Sequence, residues 1–183
     1  VAIKADGMAV AWGVTSQGGD ASSADLTDVA DVSCGANVCV ALKTDATAVA
    51  WGVAEYGGNY AGVDLTNVIY SSCGMAQCFA LKADQTVVTW GSTSFGGDSS
   101  GVDLTNVAHV SCGHACIALK TDGTGVTWGG ASHGADSSSA DLTNMPGCFP
   151  STPGPSSTPT AIPLLMPTPS PIPALKAPAT PAP

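Results

Sequence analysis

Four tryptophan-glycine pairs, Trp12-Gly13, Trp51-Gly52, Trp90-Gly91 and Trp128-Gly129, recur at intervals of 39, 39 and 38 residues. A fixed period of this length restricts a chain to a propeller, a solenoid or another array of one small unit. The unit is clearest in its second copy: Ala41-Leu42-Lys43-Thr44-Asp45, Val49-Ala50-Trp51-Gly52, Gly57-Gly58, Asp64-Leu65-Thr66 and Ser72-Cys73-Gly74. Apolar residues alternate with period two, as at Val40 and Leu42 and again at Val49 and Trp51, which predicts short strands with one buried face. Asp6-Gly7 and Asp122-Gly123 fall between two such runs, where a tight hairpin turn needs positive φ at its central positions. The second and third copies place Asp45-Ala46 and Asp84-Gln85 there, so those turns are expected to be looser or strained. Val107 and His109, shifting to Val110 before Ser111-Cys112-Gly113, predict a further strand. Each repeat thus offers three or four strands, enough for one small sheet.

An isolated sheet of this size leaves its tryptophan in water, whereas stacking repeats covers it. Burying such a side chain contributes on the order of 2–3 kcal/mol, and the glycine after it lets neighbouring backbone approach closely. Trp12, Trp51, Trp90 and Trp128 are therefore expected to pack one blade on the next.

Composition divides the chain. All 13 prolines lie at or beyond Pro146, which separates a repeat domain over residues 1–149 from a Pro/Ser/Thr-rich tail over 150–183. The repeats run over about 1–39, 40–78, 79–116 and 117–149. The tail has proline at nearly every second to fourth position, excluding a helix interior or a central strand and favouring polyproline II. Extended, it reaches on the order of 100 Å. A neighbouring subunit is one expected holder for such a segment. O-linked glycans on Ser151, Thr152, Ser156, Ser157, Thr158, Thr160, Thr168, Ser170 and Thr180 are the other.

The net charge is −9, with five lysines, no arginine and 14 acidic side chains. Nucleic-acid binding needs a positive field that releases counterions from phosphate, and this surface repels phosphate instead. An anionic membrane is disfavoured for the same reason, and no stretch of about 18 apolar residues is present to span a bilayer. The chain opens inside a repeat without an initiator Met, which predicts a processed chain or a fragment of a longer one.

Cys34 and Cys39, Cys73 and Cys78, and Cys112 and Cys116 recur at one place in each repeat, while Cys148 stands alone. Repeated cysteine pairs in so weakly charged a chain predict disulfides and an oxidising, extracellular setting. Pairing within each repeat is expected, because the two cysteines flank a short loop between adjacent strands. A ladder of Cys39 with Cys73, Cys78 with Cys112 and Cys116 with Cys148 is the competing arrangement. Cys148 is unpaired or intermolecular in the first scheme, and Cys34 is left over in the second.

Four other patterns bear on chemistry. His109, Cys112, His114 and Cys116 have zinc-like donors at close spacing, but the histidines are missing from the other repeats while the cysteines persist, so a disulfide beside two histidines is expected and no metal. Gly18-Gly19-Asp20, Gly57-Gly58-Asn59, Gly96-Gly97-Asp98 and Gly134-Ala135-Asp136, each followed by Asp-Leu-Thr, offer carboxylates for calcium. Only two acids recur per repeat, fewer than calcium loops gather, so turn roles are favoured and no cofactor is expected. Gln17, Tyr56, Phe95 and His133 vary on a constant scaffold just before those glycines, where a rim would display recognition residues. No nucleophile has a recurring histidine and carboxylate beside it, and no phosphate loop or metalloprotease spacing occurs, so an enzyme is not expected.

The repeat, with its Val-x-x-x-Ser-Cys-Gly, Ala-Leu-Lys-x-Asp-Gly and Val-x-Trp-Gly motifs, resembles the regulator of chromosome condensation family. The likeness is to its short-repeat members, of the type II beta-lactamase inhibitor protein kind, and covers residues 1 to about 145. It implies an all-β propeller with four-stranded blades, commonly seven of them, of which this chain holds just under four. Where that family has a His-Ser pair before the Ala-Leu strand, this chain has Val38-Cys39 and Gln77-Cys78, implying that a disulfide replaces a hydrogen bond. The last repeat departs at Met145-Pro146-Gly147-Cys148. An arc of so few blades has two open ends, which a small closed ring, two joined arcs or a head-to-tail filament would cover. The expected function is an extracellular structural subunit of a glycosylated filament or surface assembly. The alternative is a secreted module that recognises protein or carbohydrate on its rim, in the manner of an inhibitor or lectin.

Overall fold

The computed structural model describes residues 1–138 and 140–145. The chain divides into one unit over Val1–Phe149 and another over Pro150–Pro183. The expected polyproline tail, its glycan sites and Cys148 all lie outside the described residues.

The described residues form four antiparallel sheets in chain order. The first is a pair, β1 (Ala2–Ile3) and β2 (Ala9–Val10). The second is the meander β3 (Val29–Cys34), β4 (Val38–Lys43) and β5 (Ala48–Gly52). The third is β6 (Val68–Cys73), β7 (Gln77–Lys82) and β8 (Val87–Gly91). The fourth is β9 (Val107–Cys112), β10 (Ala115–Lys120) and β11 (Gly125–Gly129). Each last strand leads into a one-turn 3-10 helix closed by a left-handed glycine, Gly18, Gly57, Gly96 or Gly134. The connector then returns along the sheet. The amides of Ala9, Ala48, Val87 and Gly125 donate to the carbonyls of Leu26, Leu65, Leu104 and Leu142. With the bonds that the Val29, Val68, Val107 and Met145 amides donate to the Gly7, Ala46, Gln85 and Gly123 carbonyls, this return stands in for the fourth strand that the family resemblance implies.

The hairpin turns differ from the tight two-residue form. The Gly7 amide donates to the Lys4 carbonyl at 3.0 Å and the Lys4 amide to the Met8 carbonyl at 2.8 Å, enclosing a three-residue loop with one left-handed residue at its end. That residue is Gly7 (φ 80°) or Gly123 (φ 83°) in the outer copies, but Ala46 (φ 64°) and Gln85 (φ 66°) in the inner ones. Both inner turns carry the strain expected of a side chain there. The shift expected between His109 and Val110 falls one step earlier, as a bulge where Lys120 pairs Val107 but Leu119 pairs His109.

Three apolar clusters bridge successive sheets. Ala9, Val29, Cys39, Ala41 and Trp51 join the first to the second. Val38, Val40, Ala48, Leu65, Val68, Cys78 and Trp90 join the second to the third. Phe79, Leu81, Val87, Leu104, Val107, Cys116 and Trp128 join the third to the fourth. Each blade therefore uses both faces, which is why a single repeat has no core of its own.

Candidate functional site

Junction chemistry repeats with the period of the sequence. The indole N–H of Trp51 donates to the Gly18 carbonyl at 3.0 Å, that of Trp90 to Gly57 at 2.9 Å, and that of Trp128 to Gly96 at 3.0 Å. Each glycine is held left-handed, with φ of 89°, 115° and 99°. A methyl group added there would face the cystine sulfur of Cys39, Cys78 or Cys116 at 3.5, 3.3 and 3.1 Å. A bare backbone is thus the acceptor on one side, and a buried ring with its polar edge satisfied is the donor on the other.

A second link runs alongside. The Lys43 ammonium meets Asp25 and the Lys120 ammonium meets Asp103, both at 2.5 Å, and Lys82 pairs with Asp64 in the same way. The lysine side chains are 11–12% exposed, while their partners stay in water. Hydrogen bonds from the lysine, then from Thr27, Thr66 or Thr105, hold the carboxyls of Asp25, Asp64 and Asp103 at about 2. The Lys43 ammonium is raised in turn by Asp25. Gln77, fully buried, adds a third link at the last junction. Its amide donates to the Gly113 carbonyl at 2.9 Å, and its oxygen accepts from the Ala76 amide.

Disulfides join Cys34 to Cys39, Cys73 to Cys78 and Cys112 to Cys116. Each pair is directly opposed in register across its hairpin. The between-repeat ladder is therefore absent from its described positions, and the sulfurs of Cys112 and Cys116 are committed to each other. His109 lies against Tyr70 and His114 against His133. Partial burial lowers the His109 imidazole below its ordinary value. Among the described residues no three His, Cys, Asp or Glu side chains gather as a metal site, and no helix is long and apolar enough to cross a membrane.

The recurrent acids shape turns. Asp20, Asn59, Asp98 and Asp136 accept the amide two residues on. Asp25, Asp64, Asp103 and Asp141 accept both the amide and the hydroxyl of the following threonine. Gln17, Tyr56, Phe95 and His133 each end a 3-10 turn. Gln17 is exposed and Tyr56 packs on a core. Phe95 joins His114 and His133, whose rings stack at 4.7 Å. His114 in this trio had no repeat signal to announce it.

The first and last sheets are less covered than the two between them. Trp12 is 63% exposed, against 1–4% for Trp51, Trp90 and Trp128. It departs from the packing role of the other three, because none of the described blades packs over it. Ile3, Met8, Val10 and Val14 of the same repeat are exposed as well. At the other end Ile117 and Leu119 are half-buried where the equivalent Phe79 and Leu81 are buried.

Meander sheets stacked through tryptophan and glycine define a run of propeller-like blades. Among solved structures, the chain is similar to human WBSCR16, with a TM-score of 0.46 and 22% identity over 55% of this chain and 33% of that one. It is similar to Prp20p from Saccharomyces cerevisiae, with a TM-score of 0.43 and 24% identity over 54% and 30%. It is also similar to the ectodomain of the Physcomitrella patens receptor kinase CR4, with a TM-score of 0.45 and 19% identity over 55% and 29%. The chain spans about a third of the length of each. No family model and no curated protein matches the sequence.

Proposed function

We propose that this protein is an extracellular, non-enzymatic structural subunit that associates end to end into a filament or surface assembly, with its proline-rich tail as a glycan-bearing connector. The carrying observation is the apolar surface exposed on the first sheet, at Ile3, Met8, Val10, Trp12 and Val14, with the half-buried Ile117 and Leu119 of the last. A contact between two different faces of one molecule propagates unless a rotation closes it. The three disulfides fit a compartment that keeps thiols oxidised, and the recurrent acids are engaged in turns rather than gathered for catalysis. Light scattering of the purified chain across concentration tests the reading, together with electron microscopy. Mass that grows with concentration and fibres in the images are expected. A particle of single-chain mass at every concentration, with a tail readily cleaved by protease, removes it.

The Phe95, His114 and His133 cluster favours a second reading, a secreted recognition module. Loss of ligand binding in Phe95→Ala and Tyr56→Ala, with assembly intact, would select it.

A further inference from the structure

A groove of about 360 Å³ opens between the second and third repeats, well inside the chain. One wall is the connector at Val63 and Asp64, and the other is Thr89 of β8 with the return segment at Asp98 and Ser99. Its volume falls in the range of small-ligand sites.

Thr89 and Ser99 occupy the repeat positions of Ala50 and Tyr60. Tyr60 packs against the core between the second and third sheets. The Thr89 hydroxyl instead lies 3.2 Å from the Gly97 carbonyl and 2.9 Å from the Ser99 hydroxyl. Thr127 and Ser137 repeat this pair in the fourth sheet, with Thr127 2.7 Å from the Ala135 carbonyl. When the Thr89 proton serves Ser99, the proton of Ser99 is left to donate into the groove. Asp98 accepts the Ser100 amide at 2.9 Å, and Asp64 accepts from Thr66 and holds the Lys82 ammonium. An ionised carboxyl has about four lone-pair sites, so both retain acceptor capacity. Two carboxylates repel an anion. A divalent cation of the calcium kind seeks six or more oxygen ligands, and Lys82 already neutralises one of these acids. A neutral ligand with adjacent hydroxyls matches what remains, and the half-buried Val63 and Val88 offer its C–H face a small apolar seat.

We propose that this groove binds a neutral hexopyranose, the terminal unit of a glycan. One ring hydroxyl donates to the Asp98 carboxylate and its neighbour accepts from Ser99, while Asp64 receives a further hydroxyl from across the groove. The groove is open and has few apolar atoms, so a single sugar binds with a Kd on the order of 1 mM. The site shares no residue with the Phe95, His114 and His133 cluster, and it does not rest on the end-to-end reading.

Saturation-transfer NMR on the full chain, with the methyl glycosides of glucose, galactose, mannose and N-acetylglucosamine, tests it. Transfer to at least one of them is expected, with amide shifts centred on Asp64 and residues 97–100. Ser99→Tyr copies the second repeat into the third, and should fill the groove and abolish the transfer. Thr89→Val combined with Ser99→Ala removes both hydroxyls without adding bulk, and should weaken binding about tenfold. Asp98→Asn should weaken it less while keeping its turn, because Asn59 makes the same turn in the second repeat. Unchanged circular dichroism checks the fold of each variant. No transfer to any of these glycosides overturns the sugar site. So does transfer that the folded Ser99→Tyr and Thr89→Val/Ser99→Ala chains retain, or shifts at these amides with calcium chloride alone. Light scattering reads assembly separately, so failure here leaves the end-to-end reading standing.

Discussion

Trp90 and Trp12 belong to the same repeat position, yet they carry different burdens. Trp90 is 4% exposed, donates to Gly57 and lies among the valines and alanines of the preceding blade. Trp12 has the same Val-x-Trp-Gly motif and stands 63% in water. The difference shows that the repeat does not stabilise itself: a blade contributes faces, and only a neighbour converts them into a core.

The largest expected effect tests that contrast. Trp90→Ala removes a buried ring and orphans a carbonyl, and should cost about 3–5 kcal/mol in denaturant unfolding. Trp12→Ala, measured on the dilute single chain, should change stability by less than about 0.5 kcal/mol. A large loss at Trp12 in dilute solution would mean that its face is already covered. Next is the cystine behind the seat. Replacing Cys73 and Cys78 with serine opens a short loop, and should cost about 2 kcal/mol by chain entropy, read as a lower unfolding midpoint. Smaller again are the strained turns. Ala46→Gly and Gln85→Gly relieve a left-handed side chain, worth about 1–2 kcal/mol, against the added freedom of the unfolded glycine. Each should raise stability by about 0.5 kcal/mol, whereas Gly7→Ala should lower it.

The smallest effect is electrostatic and sharpens the comparison between paired and leftover acids. Asp25, Asp64 and Asp103 sit at about 2 in the folded chain, below the ordinary value near 3.9 of the unfolded chain. Their stabilisation is present above that ordinary value and is lost as pH falls through the folded one. Unfolding monitored between about pH 4 and pH 2 should show it. Asp141 has only Thr143 to lower it and should titrate above the other three in the single chain by NMR.

Much of this was legible along the sequence because a period repeats its own evidence. The Trp-Gly spacing announced sheets, stacking and the buried role of three tryptophans. Cysteine pairing was expected within repeats, and the opposed register across each hairpin supplies the geometry that the residue types alone lacked. The Asp–Lys links were missed, although a signal existed: the four lysines before the tail all occupy one repeat position, and an Asp-Leu-Thr recurs about 18 residues before three of them. The glycine acceptor left no such mark, since a carbonyl belongs to every residue and only its direction distinguishes Gly57. The ring trio of Phe95, His114 and His133 draws on two repeats whose counterparts carry other residues, so periodicity could not point to it.

The placement of the cystines also decides how the protein answers a pull. Each S–S bond closes a loop with a sequence separation of four or five residues inside one blade, and none of the three crosses a junction. Force applied along the chain therefore meets no covalent stop between blades. A released repeat of 39 residues yields about 130 Å of slack at 3.3–3.6 Å per residue, less the few residues inside its loop. Oxidation thus hardens one hairpin in each three-stranded sheet while placing no covalent link between one sheet and the next.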